Sequence, residues 1–126
     1  MLMALKRKHI LVAIWGIETN YGTVMGDIPV FSALSTLAHQ GRRRAMFETQ
    51  LLAAAHMIQT HNIAPDKMSG SWAGAMGHTQ FMPSSYCNFA VTFSGRPVAD
   101  IWNKNPADAL ASSANYLQKH GWIPNT

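Results

Sequence analysis

The chain has 126 residues, 48% of them hydrophobic and 13% charged, with 10 basic against 6 acidic side chains for a formal charge of +4. That length fits a single domain over 1–126, which buries roughly two-thirds of its unfolded surface and so needs neither a disulfide nor a metal to fold; the low charge excludes a disordered chain. The lone Cys87 excludes an internal disulfide, and the basic triplets Lys6-Arg7-Lys8 and Arg42-Arg43-Arg44 lack an interleaved aromatic stripe, which argues against nucleic acid as a partner.

Residues 4–21 read as a helix, with Leu11, Ile14 and Ile17/Glu18 at helical spacing. Its start resembles the basic and apolar regions of a signal peptide. No small-x-small site follows, and the apolar run is too short to span a membrane, so it reads as a core helix. Gly22 and Gly26-Asp27-Ile28-Pro29 end it. Residues 30–39 form a second helix through Phe31, Leu34 and Leu37, closed by Gly41. The longest helix covers 42–61, its apolar stripe running from Met46 and Phe47 through Leu51 and Ala54 to Ile58. Pro65 and Gly70 bound a loop. Residues 71–86 are glycine-rich and then aromatic, and 89–93 alternate weakly, as a short strand or an extended loop. The final helix has Asn105 as N-cap, Pro106 at its first position and Gly121 at the left-handed site past its end. Ala109, Leu110, Ser113, Ala114 and Leu117 form its inner face. The fold class is mainly α, with one irregular glycine-rich segment.

Two features carry chemistry. Glu18 is one of two glutamates and ends the apolar run Ile10-Leu11-Val12-Ala13-Ile14-Trp15-Gly16-Ile17. A carboxylate desolvated there is costly unless paired, and desolvation favours the protonated form that a general acid requires. The same spacing also fits a glutamate pointing into water from the polar side of the helix. The second feature is the segment Ser69 to Tyr86. Its Gly70, Gly74 and Gly77 permit close backbone approach, and Trp72, Phe81 and Tyr86 offer flat apolar faces. Sugars have apolar C–H faces and hydroxyl rims, so these rings beside Ser71, Gln80, Ser84 and Ser85 suit a glycan groove; a tightly packed pair of helices fits the segment equally well. A phosphate loop is excluded, because no Gly-x-x-x-x-Gly-Lys-Ser/Thr is present. No pattern among the six histidines singles out a partner for Cys87, which reads as a small packing residue.

Four blocks together resemble the membrane-bound lytic murein transglycosylase B family. They are Ala13-Ile14-Trp15-Gly16-Ile17-Glu18-Thr19-Asn20-Tyr21-Gly22, Gly41-Arg42-Arg43-Arg44, the run from Gly70 to Ser85, and Ala114-Asn115-Tyr116-Leu117 with His120-Gly121-Trp122. The resemblance implies a lysozyme-like, goose-type-like helical fold. It implies cleavage of the bond between N-acetylmuramic acid and N-acetylglucosamine in peptidoglycan, without water, to leave a 1,6-anhydro sugar. Glu18 takes the place of the family's single acid/base. Ser71 and Gln80 resemble groove residues that steady the carboxyl or the N-acetyl group, and Met76 and Phe81 the apolar wall that keeps Glu18 protonated. Tyr86, Asn115 and Tyr116 resemble saccharide contacts. Arg42 and Arg43 resemble arginines that meet the carboxylates of the peptide stem. The implied partners are peptidoglycan glycan strands and peptide stems, in the periplasm or cell envelope, with membrane association only through segments outside this chain. A hydrolysing muramidase, for which Asp27 is the second carboxylate to watch, and an impaired peptidoglycan-binding remnant are the alternatives.

The sequence departs from that family in two ways. Its calcium loop of EF-hand type aligns with Thr92, Ser94, Arg96, Val98, Asp100 and Asn103, with Pro97 where a glycine belongs; one acid and an arginine do not suit calcium, so no metal or other cofactor is expected. Both ends stop short of the family's pattern, from which an incomplete groove and reduced activity are expected.

Overall fold

The computed structural model describes residues 8–93 and 95–121. The elements in chain order are α1 (Lys8–Thr19), β1 (Ile28–Pro29), α2 (Val30–His39), α3 (Arg44–His61), a 3-10 turn (Pro65–Lys67), β2 (Ser69–Gly70), α4 (Pro83–Phe89) and α5 (Ala107–Lys119). The chain is mainly helical, as expected. α2 packs on α3, α3 on α4, α4 on α5, and α1 on α5. The main core runs through the middle of this stack, where Val30, Leu34, Ala54, Met57, Met68, Met76, Phe81, Tyr86 and Ile101 are buried together. A smaller cluster joins Leu11 of α1 to Ala114 of α5.

α1 is not the core helix that its composition suggests. Only Leu11 and Thr19 are buried, while Val12 and Ile17 are exposed, the latter by 84%. The reason is geometric: α5 and the glycine segment back one side of α1, and nothing among the described residues covers the other. β1 and β2 form a two-stranded antiparallel pair, Ile28 opposite Gly70 and Pro29 opposite Ser69. Two isolated bridges, Gly70 to Met76 and Met76 to Phe81, fold the glycine segment onto that pair. Gly70 permits the approach, since a Cβ there would stand 2.0 Å from the Ala75 carbonyl oxygen. Residues 89–93 form no strand; Phe89 ends α4 and the chain continues as coil.

The last helix ends as expected but starts one residue late: Pro106, not Asn105, is its N-cap. Asn105 Oδ1 accepts the Ala107 N–H at 3.0 Å, and the helix is assigned from Ala107. Gly121 adopts φ +78° past its end and donates to the Gln118 carbonyl. α5 is buried on more faces than its inner stripe: Asp108, Ala111 and Ser112 are buried beside Ala109, Ser113 and Ala114.

Candidate active site

The run Glu18-Thr19-Asn20-Tyr21-Gly22 is the stop of α1. Asn20 and Tyr21 take left-handed φ values of 48° and 59° and reverse the chain. Tyr21 folds back so that its ring meets Trp15 edge-on at 5.4 Å. The buried Thr19 hydroxyl donates to the His78 carbonyl at 2.6 Å and accepts the Gly22 N–H at 2.9 Å. Trp15 Nε1–H donates to His78 Nδ1 at 3.1 Å, and His78 Nε2 lies 2.6 Å from the Asn103 carbonyl oxygen. Those partners require a bare Nδ1 and a hydrogen on Nε2. The end of α1 is thereby bolted to the glycine segment, one residue after Glu18.

Glu18 is exposed, and among the described residues its carboxylate takes no hydrogen bond and no ion pair. It stands on the rim of a groove of about 300 Å³. Ile14 and Glu18 form one wall, one helical turn apart on α1. Ser113, Tyr116 and Leu117 form the facing wall on α5, at the i, i+3 and i+4 spacing of one helix face. Thr79, Gln80, Phe81 and Met82 make the floor, and Ser85 of α4 closes it. Tyr116 is held by its ring contacts: edge-on to Phe89 at 5.1 Å, tilted to Phe81 at 6.0 Å and stacked on His120 at 4.1 Å. Gln80 takes φ 58°, an uncommon conformation for a residue with a side chain. Its Nε2 donates to the Gly77 carbonyl at 3.0 Å and to the Met25 carbonyl at 3.2 Å, which leaves Oε1 as the side chain's remaining acceptor. The groove therefore combines one free carboxylate, amide and hydroxyl groups and two aromatic rings.

Of the residues singled out in the sequence, the structure brings Glu18, Gln80, Phe81 and Tyr116 together, with Ser85. The others stand elsewhere. Tyr86 is corrected from a saccharide contact to a core residue: it is 1% exposed, and its hydroxyl donates to the Ala99 carbonyl at 2.6 Å. Burial, and then the nearby Asp100, Cys87 and Asp108 charges, push that phenol far above its ordinary range. Met76 is fully buried beneath the bridges, not in the groove wall. The Ser71 Oγ accepts the Ala73 and Ala75 N–H groups, at 3.3 and 3.2 Å, and closes its own turn. Asn115 donates to the Phe89 carbonyl at 3.0 Å and clips α5 to α4. Ser84 exchanges two hydrogen bonds with Gln50. Trp72, 70% exposed, belongs to a different surface groove with Ile28 and Leu37. Arg42 and Arg43 are exposed before α3 and do not line the Glu18 groove, and Arg44 pairs with Glu48 at 3.3 Å. Asp27 is exposed and outside the groove. Cys87 donates weakly to the Ala53 carbonyl at 3.5 Å, and burial pushes its thiol up, in keeping with packing.

A cavity of about 460 Å³ is larger than the Glu18 groove and shares no lining residue with it. Thr60, His61, Tyr86 and Arg96 line it without any carboxylate, so it holds no acid for glycoside chemistry. The nearby loop is braced internally. Asp108 accepts the Phe93 N–H at 2.8 Å and the Asp100 N–H at 3.0 Å. The Asp100 carboxylate is engaged by the Lys67 ammonium, by the Trp102 N–H at 3.1 Å and by Asn103 at 3.4 Å. Burial raises the Asp100 carboxyl, but these partners outweigh it and hold it below the usual carboxylate range. Ser94 and Trp122 lie outside the described residues.

The sequence profile of the Transglycosylase SLT domain matches residues 7–126. The chain belongs to that family. It is 44% identical, over 91% of its length, to membrane-bound lytic murein transglycosylase B of Escherichia coli K12, of which it covers 32%. Among solved structures it superposes on SltB3 of Pseudomonas aeruginosa with a TM-score of 0.84 at 50% identity, over 92% of this chain and 31% of that one. SltB3 is known in complex with NAG-NAM-pentapeptide and with NAG-anhNAM-pentapeptide. The E. coli lytic transglycosylase Slt35, solved in complex with calcium, matches with a TM-score of 0.84 at 43% identity, over 91% of this chain and 36% of that one. The chain thus spans about a third of the length of these relatives. Sequence reasoning missed the Trp15–His78–Asn103 line and the groove residues Thr79, Met82 and Ser113. Of these, Ser113 alone carried a signal, its place on the inner stripe of α5.

Proposed function

We propose that this chain forms the acid/base half of a lytic murein transglycosylase site, acting on peptidoglycan in the cell envelope. The observation that carries the reading is that Glu18 is the one carboxylate lining an aromatic and amide groove, in a family whose relatives are lytic transglycosylases. Its carboxylic acid donates its proton to the glycosidic oxygen as the bond from muramoyl C1 to that oxygen breaks. The resulting carboxylate takes the proton of the muramoyl C6 hydroxyl as that oxygen bonds C1. The products are a 1,6-anhydro sugar and a free hydroxyl on the leaving sugar, with no water consumed. A glycan seated over Phe81 and Tyr116 excludes water from the groove and strengthens the hydrogen bond between the Glu18 carboxyl and the glycosidic oxygen. Gln80 offers Oε1 to a sugar hydroxyl or acetamido N–H, and Tyr116 a hydroxyl and a ring face. Arg42 and Arg43, exposed before α3, are assigned to the carboxylates of the peptide stem.

No metal enters this reading. The loop from Thr92 to Asn103 carries Arg96 and Pro97, and Asp100, its one carboxylate, is spent on Lys67 and the Trp102 amide. That donor set lacks the oxygens that calcium requires. Envelope localisation rests on the chemistry of the substrate and on the membrane-bound relative; among the described residues no helix is long and apolar enough to cross a membrane.

Digestion of purified sacculi by this chain and by Glu18→Gln, with products weighed by mass spectrometry, tests the reading. Anhydro products, lighter by one water than hydrolytic ones, are expected from the wild type. Loss of an acid/base typically costs 10²–10⁴-fold in rate, so Glu18→Gln should fall to that level. Hydrated products, or undiminished release by Glu18→Gln, contradict it.

A further inference from the structure

Ser113 and Ser112 are adjacent on α5 and are treated oppositely by the fold. Ser112 Oγ donates to the Val91 carbonyl at 3.1 Å and accepts the Val91 N–H at 3.0 Å, so its hydroxyl is fully used. Ser113 is 5% exposed, and its Oγ is the one buried side-chain polar atom among the described residues without a hydrogen-bond partner. A buried hydroxyl with no partner costs about 1–3 kcal/mol. A helical serine usually relieves this by bonding back to the carbonyl one turn earlier; Ser113 does not. Its place distinguishes it from a packing defect. It lines the Glu18 groove, one turn before Tyr116 and Leu117 on the same face of α5. The hydroxyl is buried without a hydrogen-bond partner, and a serine χ1 has three staggered wells through which it turns toward an occupant of the groove.

We propose that Ser113 is a substrate-positioning residue, whose hydroxyl donates to the acetamido carbonyl of the amino sugar seated between Glu18 and Tyr116. The acetamido carbonyl is chosen because it is the strongest neutral acceptor on such a glycan, and the orphan group is foremost an unspent donor. The wall on this side otherwise offers only the Tyr116 ring and hydroxyl and the apolar Leu117. This rests on the glycan reading of the groove. A neutral hydrogen bond is worth a few-fold to about ten-fold in affinity.

The test uses the chain with Ser113→Ala and Ser113→Thr, titrated with NAG-anhNAM-pentapeptide by calorimetry, with Glu18→Gln as a reference that retains the groove. Ser113→Ala should weaken binding three- to ten-fold while its melting temperature stays level or rises, because an unpaired polar group is removed. Ser113→Thr should restore part of the affinity. A control ligand lacking the acetamido group should bind wild type and Ser113→Ala alike. Equal affinity of wild type and Ser113→Ala for the acetamido ligand overturns the proposal. So does a drop in melting temperature for Ser113→Ala, which would mark the hydroxyl as structural. Absence of binding to wild type and Glu18→Gln alike would instead overturn the glycan reading itself, and this proposal with it.

Discussion

Thr19→Val isolates the bolt between α1 and the glycine segment. The side chains are nearly the same size and β-branched, so the substitution changes hydrogen bonding and little else. Thr19 is 1% exposed, and its hydroxyl makes two good bonds: one donated to the His78 carbonyl at 2.6 Å, one accepted from the Gly22 N–H at 2.9 Å. The His78 carbonyl bond is buried, so its loss leaves an unsatisfied acceptor at about 1–3 kcal/mol. The Gly22 N–H is only partly buried and recovers some hydration, for about 0.5–1.5 kcal/mol. The sum is roughly 2–4 kcal/mol, which in a domain of this size lowers the melting temperature by about 8–16 °C. Urea denaturation and thermal melting, read by circular dichroism, measure it directly. Because Glu18 precedes Thr19, activity on sacculi measured below the variant's own melting temperature should also fall, while Thr19→Ser should retain most of both. A Thr19→Val variant within about 1 kcal/mol of wild type would refute the claim that this hydroxyl holds α1 to the segment.

Gly77→Ala places a Cβ 2.5 Å from the Ile101 carbonyl oxygen at φ +73°; the left-handed backbone alone costs about 1–2 kcal/mol, so soluble yield and melting temperature should drop sharply, and a normal melt would contradict the tight contact. Lys67→Ala removes one of the partners, with the Trp102 N–H and Asn103, that hold Asp100 below its ordinary range against burial. For a lowered carboxyl the stabilisation is complete above the unfolded value near 4 and is lost as pH falls through the lower native value. The gap between wild type and Lys67→Ala should therefore be flat at neutral pH and shrink below about pH 4 in a pH series of melts, and because Lys67 is 43% exposed it should stay within about 1 kcal/mol. Calcium should leave the melting temperature unchanged and EDTA should have no effect; a calcium-dependent rise of several degrees would show a metal site at this loop.

Much of the fold was legible because its helices announce their own ends. The predicted helix over 30–39 stands as Val30–His39, and Gly121 takes the left-handed site just past α5, as its residue type allows. What failed was the question of which way a residue faces. The apolar run of α1 predicts burial, yet periodicity says nothing of whether a second layer is present to cover Val12 and Ile17. In the glycine segment the bridges at Gly70, Met76 and Phe81 follow no regular period, so sequence could not separate Tyr86 and Met76, which turn wholly into the core, from Phe81, which is buried in the core and also lines the groove. Ser71 and Asn115 are short polar side chains that bond nearby backbone more readily than ligands, and both do. His78 gave no local signal because its ring partners, Trp15 and Asn103, lie 63 and 25 positions away.

The groove also constrains which chemistry a single carboxylate completes. In ordinary glycosidases a second carboxylate acts from the opposite face of the sugar, as nucleophile or as the base that activates water. Asp27 is not in the groove, and among the described residues Glu18 is the one carboxylate that lines it with the Thr79, Ser85, Ser113 and Tyr116 hydroxyls. Under the proposed reaction one carboxyl must therefore give a proton to the departing oxygen and receive one from the attacking oxygen, in that order, without moving across the ring. A nucleophile meets that condition when it arrives from the side where the proton was just delivered, and it is favoured over water when it is already tethered to the sugar being cleaved. The muramoyl C6 hydroxyl is such a group, since closing the C1–O6 bond needs no external water to be held or activated. A second acid would add nothing to this sequence. Under that reaction the chain supplies a rigid seat for the sugar, and the contacts of the Tyr116 ring with Phe81, Phe89 and His120, together with the hydrogen-bonded Gln80, fix residues that line the groove with Glu18.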